Sequence, residues 1–87
     1  MPYQIEFSRR AEKQFEDLPQ QIQQRIRPRI DALAEDPRPP GVKKLEETEN
    51  QYRLRVGDYR IVYEIQDAIL LVILVRIGHR SDVYRRR

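Results

Sequence analysis

The 87-residue chain is predicted to adopt an α+β fold, and three observations carry that prediction. The apolar period is two at the N-terminus, helical from residue 9 to about residue 35, and two again from Tyr52 onward. The stretch Asp36-Pro37-Arg38-Pro39-Pro40-Gly41 divides these regimes and suits neither a helix nor a central strand. Gly57-Asp58 lies between two alternating segments, where a hairpin turn belongs. The expected order is an N-terminal strand, a two-helix hairpin, then a three-stranded antiparallel meander. The helices pack on one face of the sheet and leave the other face partly open. A chain of this length holds one domain, spanning residues 1–87.

Each element has its own local signal. Tyr3, Ile5 and Phe7 alternate with Gln4 and Glu6, as in a half-buried strand. Ser8 stands at a helix N-cap position, and Ala11, Phe15 and Leu18 mark one face of a short helix over residues 9–17. Pro19 suits the first turn of a second helix, whose face is Ile22, Ile26, Ile30 and Leu33 and which runs to about Glu35. Pro28 falls inside that pattern, removes one helical hydrogen bond, and is expected to bend or interrupt the helix. Residues 42–51 are polar and weakly patterned, with room for a short extended piece near Leu45. Tyr52, Leu54 and Val56 then alternate with Arg53 and Arg55, and Tyr59, Ile61, Tyr63 and Ile65 with Arg60, Val62 and Glu64. With glycine first, Gly57-Asp58 predicts a type II′ turn. Asp67-Ala68 makes the next turn, Ile69 to Val75 reads as a central strand covered on both faces, and Gly78 ends it. Ser81 to Arg87 forms one helical turn or a loose tail.

Composition narrows the chemistry. There is no Cys, hence no disulfide and no thiolate, and the one His excludes a multi-histidine metal site. The carboxylates show no metal-ligand spacing, so no cofactor is expected. The longest apolar run, Ala68 to Val75, is too short to span a bilayer. Met1-Pro2-Tyr3-Gln4-Ile5-Glu6 has neither a basic start nor an apolar core segment, so a cytoplasmic location with no membrane partner is expected. The net charge of +3 is uneven: the basic excess falls after residue 50, and every basic residue there is Arg. Arginine presents a planar fork of donors that matches phosphate and stacks on bases. Two readings stay open on charge alone, a nucleic-acid surface or a basic surface for an acidic protein.

The hairpin register concentrates that charge. With Gly57 and Asp58 as the turn, Arg55 sits opposite Arg60, and Arg53 opposite Val62. Alternation then puts all three arginines on the face opposite Tyr52, Leu54, Ile61 and Tyr63, which with Tyr59 belong to the core. Like charges directly across a strand pair cost about 0.2–1 kcal/mol. Such a pair is either splayed into water or built to receive an anion. The tail adds Arg76, His79, Arg80 and Tyr84. His79 is a candidate for proton transfer or an ordinary polar turn residue. Tyr84 either holds a base or phosphate or packs the tail onto the sheet.

The segment Tyr52-Arg53-Leu54-Arg55-Val56-Gly57-Asp58-Tyr59-Arg60-Ile61-Val62-Tyr63-Glu64, followed by Val75-Arg76-Ile77-Gly78-His79-Arg80-Ser81-Asp82-Val83-Tyr84, resembles the RelE/ParE toxin superfamily, the RelE branch in particular. Leu18-Pro19, Asp36-Pro37-Arg38 and Lys43-Lys44-Leu45 fall where the family places them, so the resemblance covers nearly the whole chain as a single RelE-like toxin domain. It implies a bacterial type II toxin that enters the ribosomal A site and cuts messenger RNA there. Cleavage would need no metal, with the ribose 2′-OH attacking the adjacent phosphate. The implied partners are the ribosome, mRNA and a cognate antitoxin, in a hetero-oligomer that binds DNA through the antitoxin. The family's site positions fall on Arg53, Arg55, Arg60, Arg80 and Tyr84. Arg80 would lie near the leaving 5′-oxygen and Tyr84 would hold the nucleotide. The best-known RelE members carry lysines where this chain has Arg53 and Arg55, and arginine is too basic to act readily as a base. His79 is therefore a candidate for part of the proton transfer.

Two other readings compete. A ParE-like toxin of the same fold would poison DNA gyrase without a nuclease site. A plain interaction module would retain the fold and lack activity, and an adjacent reading frame for a short acidic antitoxin would argue against it.

Overall fold

The computed structural model describes residues 2–79. Its elements in chain order are β1 (Gln4–Phe7), α1 (Arg9–Glu16), α2 (Gln20–Ala32), β2 (Lys43–Lys44), β3 (Gln51–Val56), β4 (Tyr59–Gln66) and β5 (Leu71–His79). The α+β prediction holds, and the strands form one five-stranded sheet in the order β1-β5-β4-β3-β2. Strands β3, β4 and β5 are the predicted antiparallel meander. The N-terminal strand pairs in parallel with β5, so the sheet is mixed, and β2 adds a short fifth strand beside β3.

The core lies between the helices and one sheet face. Ala11 of α1 and Ile26 and Ile30 of α2, with Leu33 just beyond it, pack against Leu54, Ile61, Tyr63, Ile65, Val72 and Leu74. Ser8 caps α1 as expected: its Oγ accepts from Ala11 N–H at 3.0 Å and donates to Val75 O at 2.9 Å. The side chain of Gln14 accepts from Ile77 N–H at 2.7 Å, so α1 satisfies the stretch of β5 that β1 is too short to reach. One serine and one glutamine thus close an open strand edge.

Several expectations need correction. α2 continues through Pro28 without interruption. Pro28 and Gln24, whose carbonyl loses its helical donor, are both exposed, so water can replace the missing bond. The helix ends at Ala32 rather than near Glu35. The connection after β4 is a 3-10 turn, Asp67–Ile69, closed by Leu70 in a left-handed conformation at φ 53°. Strand β5 runs through Gly78 to His79 instead of ending there, because Gly78 is paired with Arg60. Only one face of β5 is covered: Val72, Leu74 and Ile77 are buried, while Leu71, Ile73 and Val75 are half-buried. Between Val62 and Tyr63 the β4–β5 register shifts, passing over Val75, which lets Leu74 and Ile77 both enter the core.

The β3–β4 hairpin follows its predicted register residue for residue, with Val56 opposite Tyr59, Arg55 opposite Arg60 and Arg53 opposite Val62. Gly57 has φ +60° while Asp58 has an ordinary negative φ, the pattern of the predicted type II′ turn. A Cβ at Gly57 would also stand 3.1 Å from Arg25 Nη2, which reaches over the turn from α2.

Candidate nucleic-acid interface

Arg53, Arg55 and Arg60 come together as their strand positions require, on the face that the helices leave uncovered. They line a cleft of about 150 Å³ with Gly41 and Lys43. No acidic side chain is among these lining residues. The three arginines are not equivalent. Arg55 is exposed and its Nε donates to Gly57 O at 3.4 Å. Arg53 is half-buried. Arg60 is only 6% exposed, flanked by Arg55 on β3 and by Gly78 on β5, which brings no side chain to compete for the space. Of this like-charged pair, Arg55 turns to the hairpin carbonyl and Arg60 is buried. The picture of arginines all splayed into water fails at Arg60 and at its neighbour Val62, which is 3% exposed.

His79 is not brought to this cleft. It pairs with Tyr59 in register and meets that ring edge-on at 5.3 Å, lining a separate cleft with Gln14, Asp17 and Leu18 beside α1. The cause is strand alternation. Once β5 passes through Gly78 with Gly78 opposite Arg60, the next residue must face the other way. Arg80 and Tyr84 lie outside the described residues.

Lys43 is the charged lining residue that sequence reasoning did not place in the site. A short extended piece near Leu45 was legible, but its partner was not. β2 pairs Lys43 with Arg53 and so sets a lysine on the arginine face.

A second polar cluster lies on the helix-covered face. Arg38 donates from Nη1 and Nη2 to the two oxygens of Asp67, at 3.2 and 2.8 Å, and from Nε to Tyr52 Oη at 3.1 Å. Tyr3 Oη donates to Asp67 Oδ1 at 2.6 Å. Hydrogen bonds from Arg38 and then Tyr3 hold the Asp67 carboxyl below its ordinary range, while Asp67 and then Tyr52 push the Arg38 guanidinium further up. Beneath them Tyr63 Oη donates to Pro37 O at 2.7 Å, and burial raises the Tyr63 hydroxyl above the usual tyrosine range. This cluster ties the loop after α2 to the end of β4.

No helix of the described residues is long and apolar enough to cross a membrane. Similarity to known proteins spans the chain. It is 31% identical to toxin RelG of Mycobacterium tuberculosis, over 99% of this chain and 100% of that protein. It is 30% identical to the mRNA interferase toxin RelE of Escherichia coli K12, over 97% and 92%. Its fold matches the archaeal RelE–RelB complex from Pyrococcus horikoshii with a TM-score of 0.81 at 28% identity, covering 93% of this chain and 98% of that one. The family model described as the ParE toxin of type II toxin–antitoxin systems, parDE, matches residues 5–84. With the strand order, the hairpin and the relatives all in accord, the chain belongs to the ParE toxin family of type II toxin–antitoxin systems.

Proposed function

We propose that the protein is an mRNA interferase: an endoribonuclease that cuts messenger RNA in the ribosomal A site and is silenced by a cognate antitoxin. The observation that carries this reading is the cleft of Lys43, Arg53, Arg55 and Arg60, concave, basic and without an acidic side chain among its described lining residues. The relatives named RelE and mRNA interferase support it. Solved RelE–RelB complexes supply the analogy for the antitoxin partner.

The chemistry follows from charge. As the ribose 2′-oxygen bonds to the adjacent phosphorus, the non-bridging oxygens gain negative charge. The 2′-OH proton leaves to solvent, the phosphorus–O5′ bond breaks, and O5′ takes up a proton. The products are a 2′,3′-cyclic phosphate and a 5′-OH end. A preorganised guanidinium stabilises the crowded transition state without reorganising, and a buried arginine does so in a lower dielectric. Arg60 takes that role. Arg53 and Arg55 are too basic to remove the proton and hold the phosphate instead. From the family resemblance, Arg80 acts near the leaving oxygen and Tyr84 holds the nucleotide. His79, in the other cleft, has no part in the proton transfer. No metal is required for these steps.

The family description itself, which names parDE, favours one alternative: a gyrase poison of the same fold. Primer extension on ribosome-bound message, run beside a gyrase supercoiling assay, separates the two. The interferase reading expects new 5′ ends in the A-site codon that disappear with Arg60→Ala, and unaltered supercoiling. Supercoiling inhibition with intact message would replace it. Sulfur substitution at the scissile phosphate tests the metal: thiophilic cations are expected not to rescue cleavage, and rescue would overturn the metal-free mechanism.

A further inference from the structure

One wall of the cleft comes from the segment before β3, which the mechanism so far leaves without a task. β2 is only two residues long, too short to be stable by its own pairing. It is reached through residues 36–42, which cross from the helix-covered face to the arginine face around the edge of the sheet. On the first face the segment is tied down at Pro37 O by Tyr63 and at the Arg38 guanidinium by Asp67 and Tyr52. Arg38 also lies over the Tyr52 ring at 5.3 Å. Gly41, at φ +95°, then turns the chain, and Lys43 arrives opposite Arg53.

The two lysines of β2 are used differently. Lys44 Nζ donates to Thr48 O at 2.8 Å. Lys43 is exposed, lines the cleft, and makes no side-chain hydrogen bond or ion pair among the described residues. A lysine set directly across from an arginine, in a cleft with no acidic side chain among its described lining residues, is held there against its partner's repulsion, while Glu46 and Glu47 line the adjoining groove that the two share. An anion between them reverses the sign of that interaction. The restraint on the far side of the sheet adds to the packing of Val42 and to the short β2 pairing in holding this segment.

We propose that Lys43 is a phosphate ligand of the arginine cleft, and that the Arg38–Asp67 pair is the positioning device that holds the strand carrying it. The proposal rests on the nucleic-acid reading above and extends it to a residue on the opposite wall. Arg38 and Asp67 touch no part of the cleft; they act through the segment between Pro37 and Lys43. Their side chains are 42% and 56% exposed, so the pair contributes little to overall stability and its effect falls on ligand binding.

The test is a titration of the full chain with a short single-stranded RNA whose ribose 2′-oxygens are methylated, so that it binds without being cut. Lys43→Ala is expected to weaken binding about tenfold, and to lower the slope of log affinity against log salt by about 0.7, the share of one phosphate contact on a single strand. Arg38→Ala is expected to weaken binding several-fold with a nearly unchanged melting temperature. Adding Lys43→Ala to Arg38→Ala should then cost less than about twofold more, because the lysine is already out of position. Asp67→Ala should behave like Arg38→Ala, and Asp67→Glu should recover most of the loss. Full affinity in Lys43→Ala, with loss in Arg60→Ala, overturns the proposal and leaves the nucleic-acid reading standing. Additive losses for Lys43 and Arg38 overturn the positioning role. If the unmodified chain binds the RNA at no salt concentration, the nucleic-acid reading fails, and this proposal with it.

Discussion

Arg38 and Arg60 lie on opposite faces of the same sheet, each within reach of β3, and the described side chains around them differ in charge. Arg38 is exposed, yet its guanidinium is committed to a carboxylate and a phenol oxygen, and its ring contact with Tyr52 fixes its plane. Arg60 is buried, and the cleft it lines brings Arg53, Arg55 and Lys43 toward it. Exposure alone does not report this difference. What separates them is the company among the described residues: the Arg38 cluster includes a carboxylate, whereas the cleft that Arg60 lines is basic. In the proposed function the same residue type serves as a tether on one face and as a receptor on the other.

Removing the receptor arginine breaks that contrast most directly. Arg60→Ala is expected to lower A-site cleavage by about 100- to 1000-fold, the loss typical of one preorganised donor. Arg60→Lys keeps the charge without the fork and should recover little. The check is single-turnover cleavage on programmed ribosomes, with thermal melting on the same samples. A variant that melts normally and cleaves normally would take Arg60 out of the site.

The tether face is probed through its buried member. Tyr63→Phe leaves Pro37 O without its donor and should destabilise the fold by about 1–2 kcal/mol. In a domain of this size that lowers the melting temperature by roughly 4–8 °C per kcal/mol. Because burial raises its folded-state pKa, Tyr63 contributes stability below the ordinary tyrosine range, near pH ~10, that is lost as pH rises through the folded value. Tyr63→Phe should flatten this alkaline loss, read as melting temperature against pH. An unchanged alkaline limb would mean that another group governs it.

The smallest effect belongs to the exposed pair. Arg38 and then Tyr3 depress the Asp67 carboxyl, so its contribution is present above the ordinary aspartate range, roughly pH 4, and is lost as pH falls through the folded value. Asp67→Asn should melt slightly lower than the parent at neutral pH and converge with it in acid. Parallel curves across the whole range would show that the ion pair has no stabilising role.

Much of this was legible in the residues, and the exceptions have common causes. The hairpin register followed from Gly57 and an unbroken alternation on both sides, since a slip of one residue would have turned Leu54 and Ile61 outward. Ser8 declared the start of α1 because a cap is a local, side-chain-to-backbone event. Where β1 lies was not legible: alternation says that Tyr3 to Phe7 is a strand without naming its neighbour. Lys43 escaped for the same reason, because β2 exists only by pairing with β3. Gly78 read as a break because glycine weakens an isolated strand, whereas here β4 and Arg60 support it. With β5 extended through Gly78, His79 belongs to the strand rather than to a tail, and alternation sets it beside Tyr59. Pro28 was expected to disturb α2, and exposure at that point makes the lost hydrogen bond tolerable.

The position of β5 orders the assembly of the molecule. It is the last of the described strands in the chain, yet it lies between β1 and β4 in the sheet. Until residues 71–79 are present, the N-terminal strand has no edge to join, and Arg60 has a neighbour on one side only. The pairing of Gln4 with Leu71 spans most of the sequence, a long loop to close before any reward is gathered. A chain still being synthesised can form the β3–β4 hairpin and its helices, but not the finished sheet. The arginine cleft is therefore completed only once β5 has joined β4, so the hairpin that carries three of its side chains forms before the site it belongs to.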